Sequence, residues 1–141
     1  MKIDVFLKLL ETKKGNDQAE FISARIKNQY VPIAKKYECA DRIVAQSFGN
    51  GKLNSVYKYV LTCMALLDLY TDFSYNKDRS SILSDYDKFN KLGLFDVILN
   101  SIDENEIKEF NMIVDMCYSD YIFNQESDID RLTKVIDTKV S

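Results

Sequence analysis

Proline is almost absent from this chain, which constrains its fold more than any other feature. Pro32 is the single proline among 141 residues. Because proline lacks a backbone N–H and disrupts helix interiors, its scarcity leaves most of the chain free to form helices. Apolar residues also recur at intervals of three and four along most of the sequence, which is the spacing of amphipathic helices. We predict an all-α fold, a bundle of about six to seven helices in which Pro32 kinks or ends a helix.

The length and composition of the chain fit one compact domain. Of its 141 residues, 46% are hydrophobic and 29% are charged. This is enough to enclose one hydrophobic core and too little for two domains of ordinary size. The sequence contains no internal repeat, linker-like stretch or low-complexity tract. We therefore expect a single helical domain over residues 1–141.

The strongest turn signal is the sequence Gly-Asn-Gly-Lys at residues 49–52. Glycine and asparagine tolerate positive φ, so we predict a small β-hairpin near residues 46–56. The glycines and the lysine also faintly resemble a phosphate-binding loop. The spacing of such a loop is absent, however, and Leu53 stands where a hydroxyl residue would follow the lysine. We interpret the segment as a turn.

Capping patterns predict where several helices begin. The second helix is expected to continue through Tyr30 toward Pro32, and the last helix is expected to be a separate one after Gln125. The predicted starts are Asp17 with Glu20, Ser80 or Ser81, Asp103 with Glu106, and Ser127 with Asp130.

Two segments are the strongest candidates for the core. The first carries a broad apolar stripe at helical spacing. The second, residues 94–99, is almost entirely apolar and is therefore expected to be buried. The residues of the first stripe are Val56, Val60, Leu61, Met64, Leu67 and Leu69.

The chain has no histidine, the side chain that most often serves as acid, base or metal ligand near neutral pH. Asp68 and Asp72 lie four residues apart, on one face of a predicted helix. A hard cation needs about six or more converging oxygens, so we interpret these carboxylates as part of a solvated face. We expect no enzymatic activity, no cofactor and no metal site.

The cysteines Cys39, Cys63 and Cys117 form no Cys-x-x-Cys pair and lie among apolar residues. This pattern predicts buried free thiols in a reducing compartment. Charged residues interrupt the first ten positions, unlike a signal peptide, and no stretch approaches the roughly 18 apolar residues that span a bilayer. We expect a cytoplasmic location when the protein is made, without membrane contact.

Charge is distributed unevenly along the chain, whose net charge is −3. Residues 1–70 hold eleven Lys and Arg against seven Asp and Glu, a net charge of +4. Residues 71–141 hold eight against fifteen, a net charge of −7. This asymmetry fits a solvated surface, head-to-tail contact between copies, or docking of the acidic half on a basic partner.

Seven basic residues in the first half are candidates for following a phosphate backbone. Acidic residues are mixed among them and the whole chain is acidic, so a nucleic-acid partner is not favoured. An acidic cluster farther along could imitate phosphates in a basic groove, although helix capping also explains it. The basic residues are Lys13, Lys14, Arg25, Lys27, Lys35, Lys36 and Arg42, and the acidic ones are Asp103, Glu104, Glu106 and Glu109, with Asp115 and Asp120 farther along.

Three stretches, at residues 30–36, 59–72 and 89–98, consist mainly of core and turn positions. They resemble segments of small, largely uncharacterised proteins from tailed phages of Gram-positive bacteria, over residues 3–124. The resemblance implies a phage origin and no known enzymatic role, and it assigns no active site. This chain departs from the group in its short turn after Phe48 and its additional helix after Gln125.

Tyrosine is enriched at protein interfaces, so the contact surface is predicted around Tyr75, Tyr118 and Tyr121, which we expect to be exposed. Tyr121 fits the core equally well. Asp115 and Asp120 are predicted to belong to the same surface.

These observations predict a non-enzymatic phage protein that acts by protein–protein contact, as a virion structural or assembly component present in several copies. Its partners are expected to be itself or other phage proteins, and it is expected to be incorporated in the virion after synthesis in the host cytoplasm. The alternative is a phage-encoded inhibitor that binds a host defence protein or nuclease through its acidic C-terminal half.

Overall fold

The computed structural model describes the backbone of residues 1–140 and the side chains of residues 1–125. Seven helices and one two-stranded antiparallel hairpin occupy the described chain, which confirms the mainly α fold. None of the described helices combines the length and the apolarity that crossing a membrane requires. The elements are α1 (Ile3–Glu11), α2 (Asn16–Ser23), α3 (Ile33–Ser47), β1 (Phe48–Gly49), β2 (Lys52–Leu53), α4 (Ser55–Tyr70), α5 (Arg79–Lys91), α6 (Leu94–Asn100) and α7 (Glu104–Val140).

Pro32 marks the start of α3, as a helix-breaking residue should. The preceding helix does not reach it: α2 ends at Ser23, so the predicted continuation through Tyr30 is wrong. The backbone after α2 instead pairs with the end of α4 and the residues that follow it. The N–H of Lys27 donates to the carbonyl of Tyr70 at 2.8 Å, and the N–H of Asp72 donates to the carbonyl of Arg25 at 2.9 Å.

The caps predicted for α2 and α5 are wrong. The residue before α2 is Gly15, at φ +57°, and no side chain caps this helix, so Asp17 lies within its first turn. The cap of α5 is Asp78 rather than Ser80 or Ser81, because Asp78 Oδ1 accepts from the Ser81 N–H at 2.9 Å. The hydroxyls of both serines donate to the same carboxylate.

The hairpin forms where the turn signal predicts it. Phe48 pairs with Leu53 and Gly49 pairs with Lys52. The two residues of the turn, Asn50 and Gly51, have φ of 55° and 76°. This left-handed conformation is the one that glycine and asparagine tolerate best.

An aromatic cluster centred on Phe6 joins the first two helices to the middle of the chain. The Phe6 ring stacks on Phe21 at 5.3 Å and meets the edge of Phe73 at 4.7 Å, both measured between ring centroids. Phe89 and Phe95 extend the cluster into α5 and α6. Phe6 and Phe89 are completely buried, so this cluster is a main part of the single core.

Two expectations about the core require correction. Val56 is 71% exposed, because it lies in the first turn of α4, before the part of the helix that packs into the core. In α6, Leu94, Phe95 and Ile98 are buried, but Val97 points outward and is 40% exposed. The remainder of the predicted α4 stripe is buried, at Val60, Leu61, Met64, Leu67 and Leu69.

The predicted helix start at Ser127 is wrong, because α7 runs without interruption from Glu104 to Val140. This stretch contains neither proline nor glycine, so nothing in its backbone chemistry ends the helix before a capping pattern could begin another. Its 37 residues give a length of about 55 Å. The first part packs on α3, with smaller contacts to α4 and α6.

Candidate protein-contact surface

A buried group of charges fixes α7 against α3. Lys36 is completely buried, and its ammonium group donates to the Glu106 carboxylate and, at 2.9 Å, to Glu109 Oε1. Glu106 Oε1 also accepts from the backbone N–H of Val31 at 2.7 Å. These contacts hold the first turn of α7 beside the start of α3. Glu106 therefore forms a tertiary contact instead of the predicted capping interaction.

The hydrogen bonds in this group keep both partners charged. Burial opposes the charge on Glu106, but hydrogen bonds from Lys36 and the Val31 N–H outweigh it, so the pKa of Glu106 lies below its usual value. Burial similarly opposes the charge on Lys36, and its two carboxylate partners raise its pKa above the usual value. Burial raises the pKa of the neighbouring Tyr70 to about 12.

At the other end of the α3–α7 pair, aromatic rings pack between the two helices. Phe48, directly after α3, stacks on Tyr121 at 4.4 Å and on Tyr118 at 6.1 Å between ring centroids. The ammonium group of Lys58 lies 4.3 Å from the centre of the Tyr118 ring. Since α3 begins near Glu106 and ends near Tyr121, the two helices run parallel.

The three tyrosines predicted to be exposed are half-buried. Tyr118 and Tyr121 are held by the contacts just described. The Tyr75 hydroxyl lies within hydrogen-bond distance of the Met64 carbonyl (3.0 Å) and of Asp68 Oδ2 (2.9 Å). Burial and the Asp68 charge raise the pKa of Tyr75 above its usual value. All three contribute to packing within the molecule. The expected exposure is therefore wrong for Tyr75 and Tyr118, whereas the alternative of a core position for Tyr121 agrees with its stacking on Phe48.

The predicted carboxylates Asp115 and Asp120 are exposed on α7. They lie on either side of an apolar stripe that the sequence analysis missed, formed by Met112, Met116 and Phe123. Each of these three side chains is more than half exposed. Met112 follows the fully buried Phe110 by two residues, which places it about 200° around the helix and away from the core.

Three further apolar side chains are exposed at the start of α3. Tyr30, Ile33 and Tyr37 are each more than half exposed; Ile33 and Tyr37 lie on α3, which runs parallel to α7, and Tyr30 lies just before it. We call these residues and the α7 stripe the α3–α7 surface: Tyr30, Ile33, Tyr37, Met112, Met116 and Phe123. These residues are spaced by three and four positions around the start of α3, and by four and seven positions on α7. Such helical spacing could have indicated a second apolar face from the sequence.

Another exposed apolar pair lies on α1, in the basic half of the chain. Val5 is 47% exposed and Leu9 is 40% exposed, and the exposed Lys8 lies between them. The two apolar residues are separated by four positions, so they occupy one face of the helix. We call Val5, Lys8 and Leu9 the α1 face.

The two carboxylates that were candidates for chemistry, Asp68 and Asp72, take part in separate ion pairs. Asp68 bonds to Lys77, whereas Asp72 lies beyond the end of α4 and pairs with Arg25 at 3.0 Å. They therefore do not share a helical face, contrary to the expectation. Within the described residues, no three Asp, Glu, Cys or His side chains come together as a metal site.

The cysteines fit the prediction of free thiols with one difference. Cys39 and Cys117 are buried, and Cys63 is half-buried. Burial raises the pKa of each thiol above its usual value, which lowers the population of the reactive thiolate.

The basic residues of the first half do not form a continuous track. Lys36 is buried against Glu106, and the Arg25 side chain, largely buried, pairs with Asp72. The ammonium group of Lys13 lies over the Phe21 ring at 5.3 Å. These three side chains take part in internal contacts, which weakens the case for a nucleic-acid surface.

Comparison with protein-family models, curated proteins and solved structures finds no match to this chain. The resemblance to phage proteins and the function it implies stay predictions.

Proposed function

We propose that this protein acts by protein–protein contact through the α3–α7 surface, as an assembly component present in several copies. The observation that carries this proposal is the exposure of six large apolar side chains, five on two adjacent parallel helices and Tyr30 just before the first of them. Groups of exposed apolar residues of this kind are typical of interaction sites. Tyrosine, phenylalanine and methionine are also the residue types that interfaces favour.

The partner that fits best is a second copy, bound head to tail. The α7 stripe lies between the acidic Asp115 and Asp120, whereas the α1 face combines apolar residues with Lys8. The acidic half of one copy and the basic half of the next are therefore complementary in charge. Contacts between unlike surfaces generate rings or open filaments rather than simple dimers, which suits a protein present in several copies.

The resemblance to small proteins of tailed phages supports the more specific proposal of a virion component. Mass spectrometry of purified particles from a phage that encodes this chain tests this point. We expect the protein in the particles at several copies each. Its absence from the particles would contradict the virion role and leave the assembly proposal to be decided by the following experiment.

Light scattering after size-exclusion chromatography tests the assembly itself. We expect a mass above that of the 16.4 kDa monomer that rises with protein concentration and falls between about 0.01 M and about 1 M salt. The double variant that combines Met112→Lys and Met116→Lys should be a monomer. The matched control is Val56→Lys, which changes an even more exposed apolar residue outside both faces.

Charge exchange tests the head-to-tail arrangement. We expect Asp115→Lys with Asp120→Lys to weaken assembly, and Lys8→Glu to weaken it as well. Mixing these two variants should restore association, because each then supplies the complementary charge to the other. A monomer under all conditions would overturn the proposal and favour the inhibitor alternative, in which the acidic half binds a basic host protein.

A further inference from the structure

The hairpin and its surroundings form a cavity that the proposed contact surface does not use. Its volume is about 410 Å³, within the range of about 300–1,000 Å³ that small-molecule sites occupy. One wall is the hairpin turn, the second is the start of α4, and the third is the start of α5. This is the same Gly-Asn-Gly-Lys segment whose composition resembles a phosphate-binding loop.

The chemistry of the lining is selective for negative charge. Lys52 and Arg79 supply two cationic groups, and Gln46, Asn50, Asn54 and Ser55 supply amides and a hydroxyl. No carboxylate lines this cavity among the described residues, although the chain carries more acidic than basic residues. An anion placed here would meet donors without an opposing acidic side chain.

The charges of these two cations are not neutralised by an acidic partner within the described residues. Neither Lys52 nor Arg79 forms an ion pair with another side chain in the described range. The guanidinium carbon of Arg79 lies 4.7 Å from the centre of the Tyr57 ring. This cation–π contact restrains the side chain at the cavity, while its hydrogen-bonding groups stay available.

We propose that this cavity binds a small phosphate monoester through Lys52 and Arg79. Arginine matches the geometry of phosphate oxygens with two parallel hydrogen bonds, and lysine adds a compact second charge. The arrangement requires no metal and no catalytic group. It is independent of the α3–α7 surface, since the two sites share no residue.

Nuclear magnetic resonance with inorganic phosphate as the probe tests the proposal. We expect saturable shifts of the backbone amide signals of Asn50, Gly51 and Ser55 in the full chain, and none with sodium chloride at equal ionic strength. Arg79→Gln and Lys52→Gln should each weaken phosphate binding about tenfold. Lys91→Gln removes the same charge at an exposed site outside the cavity and should leave binding unchanged.

The spectra also report whether each variant is folded, since amide signals far from the hairpin should keep their positions. Chemical-shift changes that rise linearly with phosphate concentration, without saturation, would overturn the proposal. Equal weakening by Lys91→Gln would do the same, because it would show a response to net charge and not to this cavity.

Discussion

The two faces of α7 differ in an unusual way. A charged side chain is buried on the inward face, and apolar side chains are exposed on the outward face. The inward face includes an ionised carboxylate, Glu106, which is buried against Lys36. The outward face includes Met112, Met116 and Phe123, which are exposed. A buried charge and an exposed apolar stripe therefore occur on one helix, within 18 residues of each other.

The two faces therefore contribute differently to the folded structure. Buried ion pairs contribute little net stability, but they penalise arrangements that separate the partners. The contacts of Glu106 with Lys36 and Val31 hold the first turn of α7 beside the start of α3. The outward stripe makes no comparable contribution to folding, because its side chains are largely in solvent. Packing within the described residues therefore does not account for its apolar character.

The largest expected effect compares one residue type on the two faces. Phe110 is completely buried and Phe123 is 67% exposed, and both lie on α7. Phe110→Ala should lower the free energy of unfolding by about 3–5 kcal/mol through lost burial and an added cavity. Phe123→Ala should change it by no more than about 0.5 kcal/mol. Urea unfolding of the two variants under monomeric conditions measures the difference, and comparable losses would contradict the assignment of the faces.

The next effect tests the buried charges directly. Lys36→Met leaves Glu106 buried without its partner and should cost about 3 kcal/mol or more in unfolding free energy. Adding Glu106→Gln removes the isolated charge, while the amide oxygen still accepts from Val31. The double variant should therefore recover at least about 1 kcal/mol.

The control for that cycle is the exposed pair Glu104–Lys108 on the same helix. Lys108→Met should change the unfolding free energy by about 0.5 kcal/mol or less, because solvent screens exposed ion pairs. If Lys36→Met cost no more than this control, the pair would have no role in fixing α7.

The smallest effect concerns pH. Because the folded pKa of Glu106 lies below its usual value of 4.5, the unfolded chain binds more protons at this residue. The contribution of Glu106 to stability is therefore present above about pH 4.5 and is lost as the pH falls through the lowered pKa. Unfolding free energies from about pH 6 to pH 3 should fall less steeply in Glu106→Gln.

Asp85 has its pKa raised, chiefly by burial, and it acts in the opposite direction over a similar pH range. It is unchanged in both proteins, so the difference between them isolates Glu106. Equal slopes in the two proteins would show that Glu106 does not titrate differently in the folded state.

Several parts of the fold were predictable because they depend on local chemistry. The scarcity of proline and the spacing of apolar residues indicated helices, and Pro32 correctly marked a helix boundary. Asn50 and Gly51 correctly marked a turn, because few other residues adopt positive φ without strain. The predicted phage origin and function do not follow from local chemistry, and no feature of the described residues tests them.

The errors arose where distant segments compete with local preference. The residues after Ser23 pair with the segment after Tyr70 in place of continuing a helix. Tyr75 was expected at the surface because tyrosine is common at interfaces, yet its hydroxyl lies within hydrogen-bond distance of the Met64 carbonyl. Glu106 fits a capping pattern, but Lys36 and Val31 bind it instead. Sequence spacing contains no information about which distant partner will be nearby.

The sequence by itself determined the helical class, the hairpin and most of the core stripe, because these follow from backbone restrictions and from the periodicity of apolar side chains. The tertiary structure alone decided which apolar residues stay exposed and which charges are buried. The physical reason is that burial depends on what covers a face after the helices pack. In α7, contact with α3 covers Glu106 and leaves Met112 and Met116 in solvent.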